Sequence, residues 1–551
     1  MIYERAFQVL GLEPRRYLLR YALPLVVGGV VLAVAAAIGS SLFPAWMAGL
    51  LPFALIGLGI AAAAMGPKAM VQMRRQQIDE SLPFFITHFG VLATSNLPRT
   101  DIIHILSNKA EYKGLSRELR RIHDLVTNWN LALPEAARQV GALTPSTLFG
   151  DLLERLAYAL EAGQDLEVFL RSEQRVVLRE YAALYHDSVY KMENWKELYL
   201  SAVSSMAFFA ILMAITPLLI GGDPILLMLG ILGFLVVIEG FLFLLLQARA
   251  PKDRLLHHLR MPTTERDRQR RLTMLILPWS FILLMVALGL QLRLEFGLAL
   301  AVAPLALLGV QFGRMEKQIR RREENYAAFI RSLGAATGAR GGSLRDTLEQ
   351  VRRHNFGPLT KLVDDLFLRL NWRIDDEKAW RQFAADSGSH IIDAFNGMFV
   401  EGVRSGGKPA NIGEIISANV VEILGLRTSR YSTAGTFHSL LITVTTAIAF
   451  VMFVGVAITA FLVELFQNGN AAGPAVNLAL HLPSNYDSRP IAQIILIALL
   501  SHSLLGGFLV KKMDGGLFRS GLITSAILVW ASCASSLLTE AFVPKLFGFG
   551  N

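Results

Sequence analysis

The sequence predicts an all-α, polytopic membrane protein with about nine transmembrane helices and two duplicated cytoplasmic helical-bundle domains. Of its 551 residues, 53% are hydrophobic and only 18% are charged, whereas soluble domains carry about 25% charged residues. Long uncharged runs alternate with long charged segments, so we expect part of the chain in lipid and part in water. The charged segments show helical periodicity and lack the alternation of strands.

Nine apolar runs are each long enough for a transmembrane helix, which needs about 20 residues. They form three pairs and a final group of three, at residues 21–66, 199–248, 272–312 and 433–540. Pro44 divides the first pair, and the stretch from Gly221 to Pro224 divides the second. An odd number of spans places the two termini on opposite sides of the membrane.

Lysine and arginine set the predicted orientation, because they concentrate on the cytoplasmic side of a membrane. With the N-terminus inside, only Arg293, Arg489 and Lys545 of the 53 basic residues fall outside. The C-terminal residues 541–551 are then extracytoplasmic, and the predicted location is the cell membrane. The larger segments predicted to lie in the cytoplasm are 1–20, 67–198, 249–271 and 313–432.

Residues 67–198 and 313–432 are each long enough for a small helical domain. In the first, Pro134 suits an opening helical turn, and Thr144 and Ser146 both suit helix caps. Apolar side chains recur there at helical spacing. They are Ile102, Ile103, Leu106, Leu152, Leu156 and Leu160.

The two domains match each other at a nearly constant offset. The matching pairs, 243 or 244 residues apart, are Phe85 with Phe329, Ile86 with Ile330, Gly90 with Gly334, and Gly163 with Gly406. Identities this sparse also arise by chance in alanine-rich helices. Their constant order, and the apolar run that follows each domain, favour an internal duplication.

The motifs of the two domains resemble the type II secretion system F family. The first domain opens with LPFFITHFGVLATSNLPRTDIIHIL, reaches EAGQDLEVFL and continues into an apolar helix. The second reads YAAFIRSLGAATGARGGSLRDTLEQV and later RSGGKPANIGEII. That family comprises membrane platform proteins of secretion systems and type IV pili. Nine spans and an opening pair of helices resemble its archaellum branch, the FlaJ-type platforms, and their archaeal pilus relatives.

The resemblance implies the membrane platform of an archaeal type IV filament machine, with an archaellum favoured over an adhesive pilus or a secretion system. It implies a hexameric cytoplasmic ATPase that drives assembly, and in an archaellum also rotation, of a filament of pilin- or archaellin-like subunits. It further implies a homodimer surrounded by membrane lipid, and no nucleic acid. The alternative from another class is a secondary transporter or permease subunit, which would leave the large cytoplasmic segments unexplained.

The sequence contains no motif of an enzyme, so we predict no catalytic residue, no cofactor and no metal ligand. A GxxxxGK[ST] loop for nucleotide is absent. Lys408 follows Gly406 and Gly407, but Pro409 stands where that loop needs Ser or Thr. These glycines are better suited to end or start helices. Cys533 is the single cysteine, and the histidines lack the spacing of a metal site.

Two clusters of basic residues are candidate contacts for the ATPase. The cluster in the second domain flanks a break in helical periodicity, and the cluster in the first domain follows one. The second domain also has an excess of basic over acidic residues. The clusters are Arg352, Arg353 and Lys361 in the second domain, and Arg117, Arg120 and Arg121 in the first. The alternative is that both clusters are solvated helix faces.

The loop 249–271 is the most strongly basic short segment. One interpretation is a dock for an acidic surface of a partner. The other is that short cytoplasmic loops are basic because membrane topology and anionic lipid head groups favour it.

Glu239 is an acid near the centre of the predicted span 224–248. A lone charge at the bilayer centre costs about 2.5–3.5 kcal/mol on insertion scales, so we expect this side chain to face other helices or to be protonated. Proton movement and hydrogen-bonded packing are the alternatives. Packing is favoured because no second buried acid or base is expected to accompany it.

Overall fold

The structure, a computed structural model, is all-helical in the part of the chain that it describes. That part comprises residues 7–11, 13–38, 45–220, 224–251, 253–257, 259, 261–341, 344–468 and 488–546. Within these ranges there is no β-strand, and Leu256 and Ser389 form an isolated antiparallel bridge. The expected all-α class is therefore confirmed.

The chain divides into two compact units, which we describe separately. Unit 1 comprises Met1–Tyr181 and Met398–Asn419, and unit 2 comprises Ala182–Gly397 and Val420–Asn551. The residues predicted for the second cytoplasmic domain are thus divided between the two units.

Unit 1 opens with a short helix at Pro14–Tyr17 and a π-helical turn at Leu18–Ala22. A 3₁₀ turn at Ala110–Tyr112 lies between two of its longer helices. The longer helices are α1 (Leu23–Ile38), α2 (Ala45–Ala93), α3 (Arg99–Ser107), α4 (Gly114–Asn128), α5 (Leu133–Leu143), α6 (Thr147–Glu161) and the beginning of α7 (Leu166–Ile220).

Unit 2 contains the rest of α7 and most of the later helices. The C-terminal part of α14 and the beginning of α15 belong to unit 1. Two 3₁₀ turns, at Gly357–Leu359 and Phe518–Ser520, connect helices of unit 2. The helices are α8 (Pro224–Arg249), α9 (Thr264–Gly289), α10 (Leu294–Arg340), α11 (Leu344–Val351), α12 (Thr360–Asn371), α13 (Asp376–Ser387), α14 (His390–Arg404), α15 (Pro409–Asn468), α16 (Ser488–Asp514) and α17 (Gly521–Leu546).

Four long helices run through the boundaries that hydropathy predicts between domains and spans. The predicted boundaries after residues 66, 198, 312 and 432 lie inside α2, α7, α10 and α15, respectively. Hydropathy changes at these points, but each helix continues through them. In α2 it does so although Pro67 lacks an amide donor, and the Tyr17 hydroxyl donates to the freed Ala63 O at 2.6 Å. Each predicted domain is therefore joined to its neighbouring spans by a continuous rod rather than by a linker.

The core of unit 1 is built from the apolar faces of its shorter helices against α2. Phe85 is 1% exposed and meets the rings of Tyr112 and Phe149 edge to face, at centroid distances of 6.2 and 5.9 Å. Five of the six predicted apolar positions are confirmed as core, namely Ile102, Ile103, Leu106, Leu152 and Leu156, and Leu160 is partly buried against it. Pro134 lies in the first turn of α5, as expected, and Thr144 lies at the C-terminal end of that helix.

Seven helices in the described ranges are long and apolar enough to cross a membrane. They are α2, α8, α9, α10, α15, α16 and α17. The predicted spans at residues 21–42 and 199–220 correspond to α1 and to the end of α7. The total of nine spans stays a prediction.

Two buried serines cap helices in the same way, one in each unit. Ser146 Oγ accepts a hydrogen bond from Phe149 N at 3.1 Å and donates to Asp79 on α2. Ser389 Oγ accepts from Ile392 N at 3.1 Å and donates to Glu323 on α10. Each serine thus satisfies a free amide at the start of a helix and fixes that helix to a long one.

Replacing either serine with alanine should loosen the first turn of the helix that it caps. Loss of a cap costs about 1 kcal/mol, so Ser146→Ala and Ser389→Ala should speed amide exchange at the starts of α6 and α14, respectively. Hydrogen–deuterium exchange with mass spectrometry measures this. The control is Ser81→Ala, since buried Ser81 donates only within its own helix, to Gln77 O at 2.9 Å. Equal effects of all three substitutions would contradict the capping role.

Candidate functional site

The basic cluster predicted in the second domain lies around the end of α11 and the start of α12. The guanidinium of Arg352 is 3.6 Å from Asp364 Oδ1 and lies 4.2 Å from the ring centroid of Phe367. Arg353 and Lys361 are exposed. Arg352 is therefore held against α12, and the other two side chains extend into solvent.

The basic cluster predicted in the first domain lies on α4. Arg117 and Arg120 are exposed, whereas Arg121 is half-buried and lies 3.1 Å from Glu118. Glu118 is completely buried and also takes a hydrogen bond of 2.8 Å from Arg74 on α2. Arg121 therefore serves the folding of unit 1, and Arg117 and Arg120 form its free basic face.

The four glycines of the repeat motif fall into two kinds. Gly90 and Gly334 are buried within α2 and α10. Gly163 and Gly406 follow the ends of α6 and α14 with φ of +68° and +80°, a conformation that favours glycine. The backbone N–H of the residue after each glycine donates a hydrogen bond of 2.9 Å to the carbonyl oxygen five residues before it. This bond is typical of a Schellman motif at the end of a helix. The expectation that Gly406 ends a helix is confirmed.

Residues 253–257 of the basic loop pack against other parts of unit 2. Leu255 O accepts a hydrogen bond of 2.9 Å from His390 N, and His257 Nε2 lies 2.9 Å from Ala385 O. The bridge between Leu256 and Ser389 lies between these contacts. This part of the loop is thus committed to the turn between α13 and α14.

Asp253 of this loop receives two partners from other helices. Arg430 Nη1 on α15 is 2.9 Å away, and the Tyr185 hydroxyl on α7 donates to the same carboxylate oxygen. Burial raises the pKa of Asp253, but the charges of Arg427 and Arg430 outweigh burial and hold that pKa below its ordinary value. Asp253 is therefore a stable anion.

Arg427, one turn before Arg430 on α15, pairs with Glu323 on α10. Its Nη1 is 3.2 Å from Glu323 Oε2, and the two side chains are only 5% and 1% exposed. The same guanidinium donates to Arg254 O at 3.0 Å, and Glu323 accepts from Ser389. Both charges are thus removed from water and paired with each other.

A second group of charges lies at the end of α16. Glu316 on α10 is contacted by Arg320 and by Lys511, and these two cations also reach Asp514 at 2.8 and 3.0 Å. Glu316 Oε2 accepts from Leu517 N at 3.0 Å. A Cβ on Gly516 would lie 2.4 Å from the Glu316 carboxylate, so a larger residue there would displace that carboxylate from its present position.

These two groups, which we call the junction network, lie where the apolar parts of several helices end. Its charged residues are Asp253, Glu316, Arg320, Glu323, Arg427, Arg430, Lys511 and Asp514. They come from the loop that follows α8, from the part of α10 after its apolar run, from the end of α16, and from the part of α15 before its apolar run. Sequence reasoning missed this network, because each member reads as an ordinary charge near a membrane boundary.

Removing one member of the Glu323–Arg427 pair should destabilise the protein by about 3–5 kcal/mol, since the other charge is left buried and unpaired. Arg427→Gln and Glu323→Gln should each lower Tm strongly, and the double variant should lose less than the two single losses together. Thermal unfolding in detergent, followed by intrinsic fluorescence, measures all three. Arg381→Gln is the control, because its 2.8 Å pair with Glu377 is exposed. Strict additivity would show that the pair is not coupled.

The intramembrane acid Glu239 has a partner, so the expectation that no second buried ionisable group accompanies it is wrong. It is 1% exposed on α8, and its Oε1 is hydrogen-bonded to Nδ1 of His502 on α16, which is 3% exposed. His502 Nε2 lies 2.9 Å from Thr445 Oγ1 on α15. Tyr199 on α7 completes the cluster, with its hydroxyl 3.5 Å from His502 Nδ1.

This cluster connects four helices through polar groups in an apolar region. Within the described part of the chain, Glu239 Oε2 has no hydrogen-bond partner. A neutral His502 can donate from Nδ1 to Glu239 and accept at Nε2 from Thr445. The signal in the sequence was the polar triplet Ser501 to Ser503 within an apolar run.

Unit 1 contains an ionic site at Glu401, which sequence reasoning also missed. Its Oε2 lies 2.7 Å from Lys109 Nζ and 3.1 Å from His88 Nε2, and His88 Nδ1 is 2.7 Å from the Tyr112 hydroxyl. Glu401 belongs to residues 398–419, whereas the other three belong to the first domain. The site therefore attaches the last turn of α14 to α2 and to the α3–α4 connection.

Glu401 should make the stability of unit 1 depend on pH. Burial raises its pKa, but the hydrogen bond and charge of His88 and of Lys109 lower it from 4.5 to about 2. A lowered pKa stabilises the fold above pH 4.5, and the stabilisation is lost as the pH falls from about 4.5 to about 2. It amounts to at most about 3 kcal/mol.

The variant Glu401→Gln should therefore unfold at a lower temperature than the wild type at pH 7, and the difference should shrink below pH 4.5. Thermal unfolding at a series of pH values measures this. Glu414→Gln is the matched control, since its carboxylate is largely exposed and lies 3.9 Å from Arg171. A Tm difference that stays constant down to pH 3 would contradict the assignment.

The chain is similar in sequence to known proteins. The family model for protein F of the type II secretion system matches residues 85–214. Flagella accessory protein J of Methanocaldococcus jannaschii is 32% identical over 98% of this chain and 97% of its own length. Flagella accessory protein J of Methanococcus voltae is 30% identical over 97% of both chains. No solved structure matches the chain.

Proposed function

The chain belongs to the family of flagella accessory protein J, and from this premise we propose that it is the membrane platform of an archaeal type IV filament machine, specifically of an archaellum. The observation that carries the proposal is similarity over nearly the whole length of two proteins with that name. The resemblance to the type II secretion F family is thereby confirmed. Seven apolar helices agree with a multi-pass membrane protein.

Nine spans, a cytoplasmic N-terminus and an extracytoplasmic C-terminus are part of this proposal. Contacts between segments assigned to the same side support it. Arg293, in the turn before α10, is hydrogen-bonded to Glu540 near the end of α17, and Ser536 donates to Glu295 at 3.2 Å. The junction network unites only segments assigned to the cytoplasm.

An internal duplication of the cytoplasmic domains is also proposed. The order of helices supports it, since α3 to α6 and α11 to α14 each lie between two long helices and each contain a 3₁₀ turn after the first helix. Positive φ angles recur 243 residues apart, at Asn130 and Arg373 and at Gly163 and Gly406. The two serine caps lie at the same offset, and each donates to an acid on the preceding long helix.

The proposed mechanism is mechanical coupling between a hexameric ATPase and the filament. Helices α2, α7, α10 and α15 are continuous from the charged segments into the apolar ones. Within unit 2, the junction network binds α10 and α15 to the ends of α8 and α16. A displacement imposed on the cytoplasmic helices would therefore reach the spans as a movement of rigid rods, and would drive filament assembly and rotation.

The exposed basic side chains are the proposed contacts for the ATPase. They are Arg353 and Lys361 in unit 2 and Arg117 and Arg120 in unit 1. Arg352 and Arg121 belong to the same clusters, but each already has a partner within its unit. A homodimer, which surrounds a central filament, and pilin- or archaellin-like subunits complete the proposed assembly.

Reversing the exposed charges should weaken binding of the ATPase. Removing one partner of a charge pair that is buried in an interface costs about 2–5 kcal/mol, so Arg353→Glu/Lys361→Glu should reduce recovered ATPase more than tenfold if the ATPase buries these side chains. The measurement is quantitative mass spectrometry of proteins that co-purify with the full chain after light cross-linking in its native membrane. A second variant, Arg117→Glu/Arg120→Glu, tests unit 1.

The matched controls reverse the same number of exposed charges elsewhere, with Arg373→Glu/Arg381→Glu in unit 2 and Arg175→Glu/Arg179→Glu in unit 1. Recovery of the ATPase with every variant would keep the platform and reject these contacts. Absence of both an ATPase and a pilin-like subunit from the wild-type sample would reject the platform itself.

A further inference from the structure

A pocket of about 240 Å³ opens between α9 and α10, apart from every site described above. The two helices form an antiparallel hairpin, joined by a tight turn in which Gln291 has a φ of +51°. Polar and apolar side chains of both helices line the pocket. They include Arg268 and Leu272 from α9, and Leu308, Gln311, Phe312 and Arg314 from α10.

The polarity of the lining changes in the same direction on both helices. On α9 the charged residue Arg268 comes one turn before Leu272. On α10, which runs the opposite way, Arg314 comes after Gln311 and Leu308. The leucines therefore lie nearer to the turn that joins the helices and the arginines lie farther from it, so the pocket has a basic part and an apolar base.

The apolar end of the pocket continues into surface that suits lipid chains. Only 6% of the apolar window of α9 is buried inside the protein. Leu275 on α9 and Leu307 on α10 are 67% and 63% exposed, just beyond the leucines of the pocket. A hydrocarbon chain that leaves the pocket in this direction would stay on an apolar surface.

Among the described side chains, the charged end has no counter-ion. In the part of the chain that the structure describes, neither Arg268 nor Arg314 forms an ion pair, and both are exposed. A third arginine, Arg519, lies 5.6 Å from the ring centroid of Phe312 in the pocket wall. The nearest acid along α10, Glu316, is already engaged by Arg320 and Lys511.

We infer that this pocket binds an anionic phospholipid, with the phosphate between Arg268 and Arg314 and an acyl chain along Leu272 and Leu308. Guanidinium groups are suited to phosphate oxygens, and basic pockets at the membrane boundary attract anionic head groups. The apolar base distinguishes this ligand from a soluble anion, which would gain nothing from it. A bound lipid would fix the hairpin at the level of the membrane surface.

Native mass spectrometry of the full chain in neutral detergent tests the inference, with phosphatidylglycerol and phosphatidylcholine titrated separately. The wild type should retain phosphatidylglycerol in preference to phosphatidylcholine. Arg268→Gln/Arg314→Gln should weaken phosphatidylglycerol binding about fivefold for each arginine. Gln311→Trp, which fills the pocket without changing its charge, should also lose the lipid.

The matched control is Arg270→Gln/Lys317→Gln, which removes two exposed charges on the same helices outside the pocket lining. It should bind phosphatidylglycerol as the wild type does. Equal losses in both double variants would show general attraction to the basic surface and overturn the site. Displacement of the lipid by an equal concentration of glycerol phosphate would show a site for soluble anions, and would also overturn the inference.

Discussion

The two buried guanidinium groups of Arg427 and Arg430 constrain the rest of unit 2. A charge taken out of water costs several kcal/mol unless its partners have good geometry. The partners come from distant parts of the chain, since Asp253 follows α8, Glu323 lies on α10, and the carbonyls of Lys512 and Met513 lie at the end of α16. These segments must therefore meet at one place. If one of them shifted, a charge would be exposed to water or left buried without a partner.

The junction network matters because the helices that carry it are long and continuous. In α10 and α15 one hydrogen-bonded backbone joins the charged segment to the apolar one. Such a helix can transmit a displacement only if its neighbours move with it or are held at a fixed pivot, and the network supplies that connection within unit 2. In unit 1, Glu401 provides a comparable connection, because it attaches the end of α14 to α2.

Polar groups within the apolar region follow the same rule of mutual satisfaction. Glu239, His502 and Thr445 are each unfavourable alone in a hydrocarbon environment. Together they exchange hydrogen bonds and connect α8, α16 and α15. The apolar surface of α9 has no charged groups to pair and is largely exposed. Beside it, Arg268 and Arg314 of the pocket are exposed as well.

The sequence by itself determined those properties that depend on local patterns. Apolar runs and helical periodicity predict an all-α membrane protein, and the motifs of its two domains indicate the family. Ser146 as a cap and Gly406 at a helix end were also predictable, because both depend on neighbouring backbone. Tertiary structure alone decided which charges are partners. Glu239 and His502 are 263 residues apart, and Arg352 and Arg353 are adjacent but differ in environment, because pairing depends on distance in space and on the rotation of each helix about its axis.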